Sequence, residues 1–236
     1  MKNAIVLCSG GIDSAVTAYY VKKRLHYNRI IILFFDYNQR TLKQERETSK
    51  ICAKNLNAEF IEIKLFWPEI LSQSLLNKKQ KLIEVKRSEL KDTKSESSRF
   101  YVPARNLIFL SYAISFADAL KISKNEIYNI FIGFKNEGKE SYPDTTKEFV
   151  SIMNKLQNIL KEKSRIIAPF IKKDKEDIIA LGKNLGVNFK DTYSCYNGSD
   201  LHCGYCLACR LRQEGFYWAN IKDPTKYETK PADFKH

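Results

Sequence analysis

The sequence contains no apolar run long enough to cross a bilayer. The apolar run that follows its first three residues is only five residues long, at positions 4–8. A transmembrane helix needs about 20 consecutive apolar residues, and a secretory signal needs an apolar segment of roughly 7 to 15 residues. We therefore expect neither membrane insertion nor export, and we predict a cytoplasmic location.

Acidic side chains are outnumbered, with 27 Asp and Glu against 40 Lys and Arg, which gives a net charge of +13. Such an excess favours polyanions such as ATP or RNA. The basic residues are spread along the whole chain, however, without an arginine-rich block or a recognition motif for nucleic acid. We therefore expect no direct binding of nucleic acid. The excess charge either attracts a polyanion such as ATP or is only a solvated basic surface.

Cysteine is sparse except near the carboxyl terminus, where four of the six cysteines lie within fifteen residues. Cys8 and Cys52 occupy apolar stretches and are predicted core residues. The other four are Cys195, Cys203, Cys206 and Cys209, and thiols so placed in a cytoplasmic chain favour metal binding over disulfides. Four thiolates predict a closed, structural zinc site, although an iron–sulfur cluster could use the same ligands. His202 is interpreted as a surface residue.

The most informative stretch is Ser-Gly-Gly-Ile-Asp-Ser at residues 9–14, between an apolar strand pattern and a helical pattern. Glycines let the backbone approach a phosphate closely, and the following helix start attracts an anion. Asp13 stands where a Walker loop has lysine, and its carboxylate could hold Mg²⁺. The loop resembles that of the ATP pyrophosphatase family, and an ordinary capped turn is the alternative. The predicted ATP-binding residues here are Cys8, Ser9, Gly10, Gly11, Ile12, Asp13 and Ser14, with Asp13 and Ser14 also catalytic.

Apolar runs alternate with amphipathic helical patterns along the rest of the chain. The predicted strands after the first are 29–35, 58–63, 127–133 and 166–170, and the main predicted helices are 41–57, 104–120, 145–162, 174–185 and 207–219. This alternation predicts an α/β fold with a Rossmann-like, doubly wound parallel sheet. We expect one domain over residues 1–236 that includes a zinc-binding element at 189–220. Residues 72–99 are rich in Ser, Lys and Glu and are expected to form a mobile lid or a disordered loop.

Polar residues follow three of the predicted strands at their carboxyl ends, where open α/β sheets bind ligands. Asp36, Tyr37, Gln39, Arg40 and Gly133 are predicted to contact ATP, with Gln39 and Arg40 directed towards the nucleotide. Arg105 could form a bidentate contact with a phosphate or carboxylate. Glu137, Tyr142 and Asp144 could recognise a purine-like base, and Lys175 could stabilise a leaving phosphate. Capping loops and a solvated surface are the alternatives.

With these residues in view, the chain resembles the 7-cyano-7-deazaguanine synthase family over almost its full length. The matching segments are 9–14, 36–40, 102–106, 142–144, 195–198 and 203–212. The resemblance implies an adenine nucleotide alpha hydrolase-like fold with a zinc-bearing carboxyl-terminal element, and a possible homodimer. It also implies an ATP-dependent ligase that converts 7-carboxy-7-deazaguanine and ammonia into the nitrile, with Asn106 among the substrate-binding residues.

The sequence departs from the family at one place. Residues 135–141 read Lys-Asn-Glu-Gly-Lys-Glu-Ser where family members usually have Cys-Glu-Thr-Asp-Phe-Ser-Gly, and Thr145 replaces a usual cysteine. An enzyme that makes the amide, or that joins the acid to another amine, would need the same adenylation. A tRNA-modifying pyrophosphatase and a non-enzymatic nucleotide-binding or zinc-dependent adaptor are the remaining alternatives.

Overall fold

A computed structural model describes residues 2–66, 72–78, 80–136, 142–160, 164–229 and 234. Within them, a parallel sheet has the strand order β3-β2-β1-β4-β5. The strands are β1 Asn3–Leu7, β2 Arg29–Asp36, β3 Glu59–Lys64, β4 Tyr128–Ile132 and β5 Ile166–Ile167. The helices are α1 Ile12–Lys23, α2 Leu42–Asn55, α3 Lys94–Ser98, α4 Arg105–Lys124, α5 Lys147–Ile159, α6 Lys175–Asn184 and α7 Leu207–Trp218. None of these helices combines the length and apolar character that a bilayer crossing requires.

Helices cover both faces of the sheet, so that successive side chains of β1 point alternately into two hydrophobic cores. Val6 packs on one face in a cluster that includes residues of α1, α2, α6 and α7. Leu7 packs on the other face with Leu110 of α4 and Met153 of α5. The predicted doubly wound α/β architecture is confirmed.

The order in which the chain adds strands to the sheet reverses at β1, which lies between β2 and β4. The chain builds outward through β2 and β3 on one side and through β4 and β5 on the other. Such a reversal leaves a crevice beyond the carboxyl ends of the two central strands, which is where open α/β sheets bind ligands. The loop 9–14 follows β1 into this crevice, and Gly133 follows β4.

Several element boundaries differ from the sequence-based prediction. Helix α1 already begins at Ile12, within the glycine loop. Helix α4 begins at Arg105 because Ala104 before it adopts a left-handed conformation with φ of 51°. Helix α5 starts only after Thr146, whose hydroxyl accepts a hydrogen bond from the amide of Phe149 at 3.1 Å.

The stretch 72–99 is more ordered than its polar composition predicts. It contains a 3-10 helix at Arg87–Lys91 and the short helix α3. Leu75, Leu76, Leu82 and Val85 are all buried, so the described part of the stretch packs onto the domain through side chains at irregular spacing. The expectation of a disordered loop is wrong for this part, and the stretch forms one wall of the crevice.

Candidate active site and metal centre

The two glycines of the loop 9–14 have different structural roles. Gly10 has φ of +76°, and a Cβ there would lie 2.0 Å from the hydroxyl oxygen of Thr48. The fold itself therefore requires glycine at position 10. Gly11 has an ordinary φ of −71° as the N-cap of α1, and a Cβ there would make only van der Waals contacts of 3.5 and 3.6 Å. The missing side chain at Gly11 instead leaves room in the crevice, as close approach of a ligand would require.

Hydroxyl groups line the loop beside its backbone. The Ser14 hydroxyl donates to the carbonyl of Gly11 at 3.1 Å and lies 3.5 Å from the Ser9 hydroxyl. The thiol of Cys8 is 3.6 Å from the same Ser14 oxygen. These groups lie beside the start of α1, and the unpaired amides at a helix N-terminus are the groups that bind a phosphate.

Asp13 forms an ion pair across the crevice with Lys175, the first residue of α6. The Lys175 ammonium lies 2.6 Å from Asp13 Oδ2, and both side chains are about one-fifth exposed. The other carboxylate oxygen, Asp13 Oδ1, is buried and has no hydrogen-bond partner. A buried, unpartnered carboxylate oxygen is costly, and an oxygen-preferring divalent cation such as Mg²⁺ would satisfy it.

Gly133 brings β4 against the start of α1. A Cβ at this position would lie 2.9 Å from the Asp13 carbonyl carbon and 3.0 Å from the Ser14 amide nitrogen. Any larger residue would push the loop away from β4. Gly133 therefore fixes the width of the crevice at the switch point.

The loop after β2 supports the crevice in a way that the sequence does not reveal. Tyr37 lines the cavity, and burial raises its pKa to about 12. Gln39, expected to point at the nucleotide, is buried and donates to the Phe35 carbonyl at 3.0 Å. Arg40 donates to the carbonyl of Gln80 at 2.9 Å, and Asp36 pairs with Arg46 at 3.3 Å. In this structure the side chains of Asp36, Gln39 and Arg40 brace the wall, and none of them lines the cavity.

Arg105 and its neighbours form the opposite side of the crevice. Arg105 donates to the Tyr37 hydroxyl at 3.1 Å and lies over the rings of Tyr37 and Phe109. Its Nε is buried without a hydrogen-bond partner. An arginine held against two rings, with one N–H unused, is prepared to bind an anion.

Three more predicted substrate residues lie on this side or next to it. Asn106 lines the cavity, and its backbone amide donates to the carboxylate of Asp144 at 3.0 Å. Asp144 is buried behind the wall and does not reach the cavity. Tyr142 lines the cavity, where its hydroxyl donates to the Ser97 carbonyl at 2.7 Å. The predicted contact Glu137 lies outside the described residues.

These side chains enclose one cavity of about 520 Å³. It brings together Cys8, Ser9, Gly11, Ile12, Asp13, Ser14, Tyr37, Arg105, Asn106, Gly133, Tyr142 and Lys175. Sequence reasoning missed other lining residues, namely Glu45, Thr93, Ser97, Phe109, Tyr193 and Arg212. Glu45 accepts hydrogen bonds from Thr41 and Gln39, and burial raises its pKa. Its position one helical turn after Thr41 is the only sequence signal that could have indicated it.

The four carboxyl-terminal cysteines form a compact, buried cluster. The four sulfur atoms all lie within 4.8 Å of one another. The sulfurs of Cys203 and Cys209 are 3.9 Å apart, close to the roughly 3.8 Å edge of a tetrahedron built on a 2.3 Å Zn–S bond. The Cys195 sulfur accepts from the amides of Asn197 and Cys203, each at 3.3 Å. The cluster could hold a metal, and Cys206 is the N-cap of α7, which begins at Leu207 as predicted.

His202 is not the surface residue that the sequence suggested. It is buried, and its Nε2 accepts a hydrogen bond from the Ser194 amide at 3.1 Å. Its ring packs between those of Tyr193 and Tyr227. Burial, together with the charge of Arg212, lowers the pKa of His202 to about 4. The residue is a neutral support for the turn beside the cysteines.

The cysteine cluster is connected directly to the cavity. Ala208, Leu211 and Arg212 of α7 line the cavity, between two and six residues after Cys206. The Tyr193 amide donates to the Gly10 carbonyl at 3.0 Å, so the chain that leads to the cysteines crosses the glycine loop. Residues near both ends of the chain therefore build the same site.

Arg212 holds the segments around the cluster together. It is almost completely buried, donates to Thr192 at 2.9 Å and Ser194 at 3.1 Å, and lies 3.6 Å from the Asp223 carboxylate. Charge-assisted hydrogen bonds of this kind are the stronger ones in proteins. The cavity wall formed by α7 is thus fixed from two sides, by the thiols and by this arginine.

The doubly wound parallel sheet and the glycine loop at its switch point define a Rossmann-like α/β protein. The family model for queuosine biosynthesis protein QueC matches residues 3–220. The chain therefore belongs to the QueC family.

Curated relatives carry the name 7-cyano-7-deazaguanine synthase. The protein of Clostridium kluyveri is 34% identical over 235 residues, which cover 97% of this chain and 99% of the relative. That of Methanocaldococcus jannaschii is 38% identical, with 95% and 98% covered. That of Methanothermobacter thermautotrophicus is 35% identical, with 95% and 98% covered.

Proposed function

We propose that the protein is a 7-cyano-7-deazaguanine synthase, an ATP-dependent ligase that converts 7-carboxy-7-deazaguanine and ammonia into the nitrile. One observation carries the proposal. The glycine loop, Asp13 with its unpartnered carboxylate oxygen, Lys175 and Arg105 all line one cavity of about 520 Å³. Membership of the QueC family and the relatives' names supply the substrate class.

The loop 9–14 would bind the phosphates of ATP. Amides of the first turn of α1 and the hydroxyls of Ser9 and Ser14 donate to phosphate oxygens, and Gly11 leaves room for them. Mg²⁺ bound at Asp13 would neutralise charge on the phosphates. Lys175 would stabilise the pyrophosphate as it leaves. Tyr37 and Gly133 complete the predicted ATP contacts in the crevice.

Arg105 would hold the carboxylate of the acid beside the α-phosphate, and Asn106 and Tyr142 would contact the deazapurine. A carboxylate oxygen attacks the α-phosphorus while the bond to pyrophosphate breaks, which gives an acyl adenylate. The ammonia nitrogen then attacks the acyl carbon and AMP leaves with the oxygen, which gives the amide. A second adenylation, on the amide oxygen, lets the oxygen leave with AMP as the nitrogen loses its protons. Holding both reactants in one enclosed cavity supplies much of the acceleration.

The four cysteines would hold zinc as a structural ion. A closed set of four thiolates leaves no open coordination position for substrate. Its contribution is to fix α7, from which Ala208, Leu211 and Arg212 reach the cavity. Ammonia as the nitrogen source, the cytoplasm as the compartment and the homodimeric state stay predictions.

The proposal is tested by incubating the metal-loaded protein with the acid, ammonium and Mg-ATP, followed by mass spectrometry of the products. We expect the nitrile, with AMP and pyrophosphate formed only when the acid is present. Asp13→Ala is the inactive reference, and Asp200→Asn is the matched control because that carboxylate is exposed. An unchanged mass of the acid would refute the assignment, and ATP consumption that depends on tRNA would favour a tRNA-modifying enzyme.

An amide product is the second candidate function. Thr145 stands where the family usually has cysteine, lines the cavity, and donates to the Tyr142 carbonyl at 2.9 Å. A hydroxyl in this place changes the groups that face the reacting carbon. The same mass spectrum decides, because amide and nitrile differ by one water.

A further inference from the structure

Helix α7 lies against α6 at a position where α7 itself has no side chain. Gly215 is buried in α7, and a Cβ there would lie 2.4 Å from Cγ of Lys175 and 2.9 Å from Cδ1 of Ile179. Both distances are far below an ordinary van der Waals contact of 3.4 to 4 Å. The methylene chain of Lys175 therefore occupies the space that any side chain at position 215 would fill.

The position of Lys175 depends on this contact. Its backbone is in the first turn of α6, and its ammonium must reach Asp13 Oδ2 at 2.6 Å in the loop after β1. Lysine has a long, flexible stem with several rotatable bonds. The backbone of α7 at Gly215 packs on the Cβ and Cγ atoms of that stem, at 3.3 and 2.4 Å from the ideal Cβ, and so limits the directions that the stem can take.

The same face of α7 links the cysteine cluster to this contact. Residues three, four and seven apart share one side of a helix, so Ala208, Leu211 and Arg212, which line the cavity, share a side with Gly215. Cys209 fixes the start of the same helix in the thiol cluster. A change in the cluster would therefore reach Lys175 through one rigid element.

We propose that Gly215 is a positioning residue that sets the direction of the Lys175 side chain and couples the cysteine centre to the nucleotide site. The inference rests on the proposed function in taking Lys175 as part of the ATP site. Alanine at position 215 would force the Lys175 stem away from α7 and weaken its contact with Asp13 and with bound phosphates.

The test is a double-mutant cycle on the Mg-ATP dissociation constant, measured by titration calorimetry with the zinc-loaded full chain. Gly215→Ala should weaken ATP binding about tenfold when Lys175 is present, the typical cost of one charge-assisted contact. In the Lys175→Ala background, where Cγ and the ammonium are absent, the same substitution should cost less than about twofold, because coupled residues are not additive. Alanine also favours the helix over glycine, so α7 itself is not weakened.

Gly182→Ala is the matched control, since Gly182 is a buried glycine of α6 whose Cβ would lie 2.6 Å from Val16 and 2.8 Å from Phe189. Its effect should be the same in both backgrounds. Equal losses for Gly215→Ala in both backgrounds, or no loss in either, would overturn the proposal.

Two further outcomes are also decisive. If Gly215→Ala does not fold, recovery of folding by Lys175→Ala supports the contact, and failure to recover overturns it. If the wild type ignores Mg-ATP, the proposed function fails. A crystal structure of Gly215→Ala then tests the positioning alone, because a retained 2.6 Å contact between Lys175 and Asp13 would contradict it.

Discussion

The two ends of the chain build opposite kinds of structure around one cavity. The amino-terminal loop 9–14 is made of backbone amides, two hydroxyls and one carboxylate, all held by the strands β1 and β4. The cysteine element is held instead by four thiols and by buried arginine contacts of Arg212. The loop is therefore held by the sheet, whereas the cysteine element could hold a metal whose binding energy would add to its folding stability.

The largest expected effect comes from removing one thiol of the cluster. Cys209→Ser should lose the metal and lower Tm by on the order of 10 °C, because the energy of metal binding is also folding energy for its ligands. The readouts are metal content and thermal unfolding. Cys52→Ala is the control, since Cys52 is buried in the core away from the cluster and should keep its metal. Full metal content in Cys209→Ser would show that the cysteine element does not depend on all four thiols, which contradicts its contrast with the loop 9–14.

A second prediction concerns the charge at the loop. Asp13→Asn keeps the shape of the side chain but removes the carboxylate that faces Lys175 at 2.6 Å. We expect kcat to fall roughly 100-fold, a typical loss for one electrostatic group of an active site, with little change in Tm. Steady-state kinetics with Asp200→Asn as the control measures this. A variant that unfolds instead would show that the loop depends on side chains for stability as much as the cysteine element does.

The two glycines sharpen the comparison within the loop itself. Gly11→Ala should weaken Mg-ATP binding about tenfold and leave Tm unchanged, because its Cβ meets nothing closer than 3.5 Å. Gly10→Ala should also lose about 1–3 kcal/mol of stability, because φ is +76° and the Cβ would strike Thr48. Calorimetric ATP titration and thermal unfolding separate the two effects. Equal losses of Tm in both variants would contradict the assigned roles.

The smallest expected effect is a pH dependence at Glu45. Because burial raises the pKa of this carboxyl, the folded state keeps its proton at pH values where the unfolded chain has lost it. The stability that Glu45 contributes is full below the ordinary value of 4.5 and is lost as the pH rises through the raised value.

Glu45→Gln cannot ionise, so its stability relative to wild type should rise with pH from about 4.5, by at most about 1.4 kcal/mol per pH unit. Denaturant unfolding at several pH values measures this slope. Glu47→Gln, on the exposed side of the same helix, is the matched control substitution. A flat difference for Glu45→Gln would show that the carboxyl is ionised in the folded protein.

The sequence predicts what is local. The sheet class follows from the alternation of apolar runs and helical patterns, and the loop 9–14 and the four cysteines follow from short spacings. The loop signal and the cysteine signal each lie within about fifteen residues of chain. The structure confirms the fold class and the thiol cluster.

What the sequence does not predict is the direction in which individual side chains point. Gln39 and Arg40 stand at a strand end as expected, but their side chains turn to the Phe35 and Gln80 carbonyls. His202 is polar and looks exposed, yet one backbone amide and two aromatic rings bury it. The contacts of Arg40 with Gln80 and of His202 with Tyr227 join residues far apart in the chain, and a single sequence carries no record of such pairings.

The hydrogen bond from the Tyr193 amide to the Gly10 carbonyl also sets an order of assembly. Ribosomes make Gly10 long before Tyr193 and the wall that α7 forms. A nascent chain that has completed every strand of the described sheet still lacks one side of the cavity. Translation that stops before α7 therefore yields the sheet without this wall.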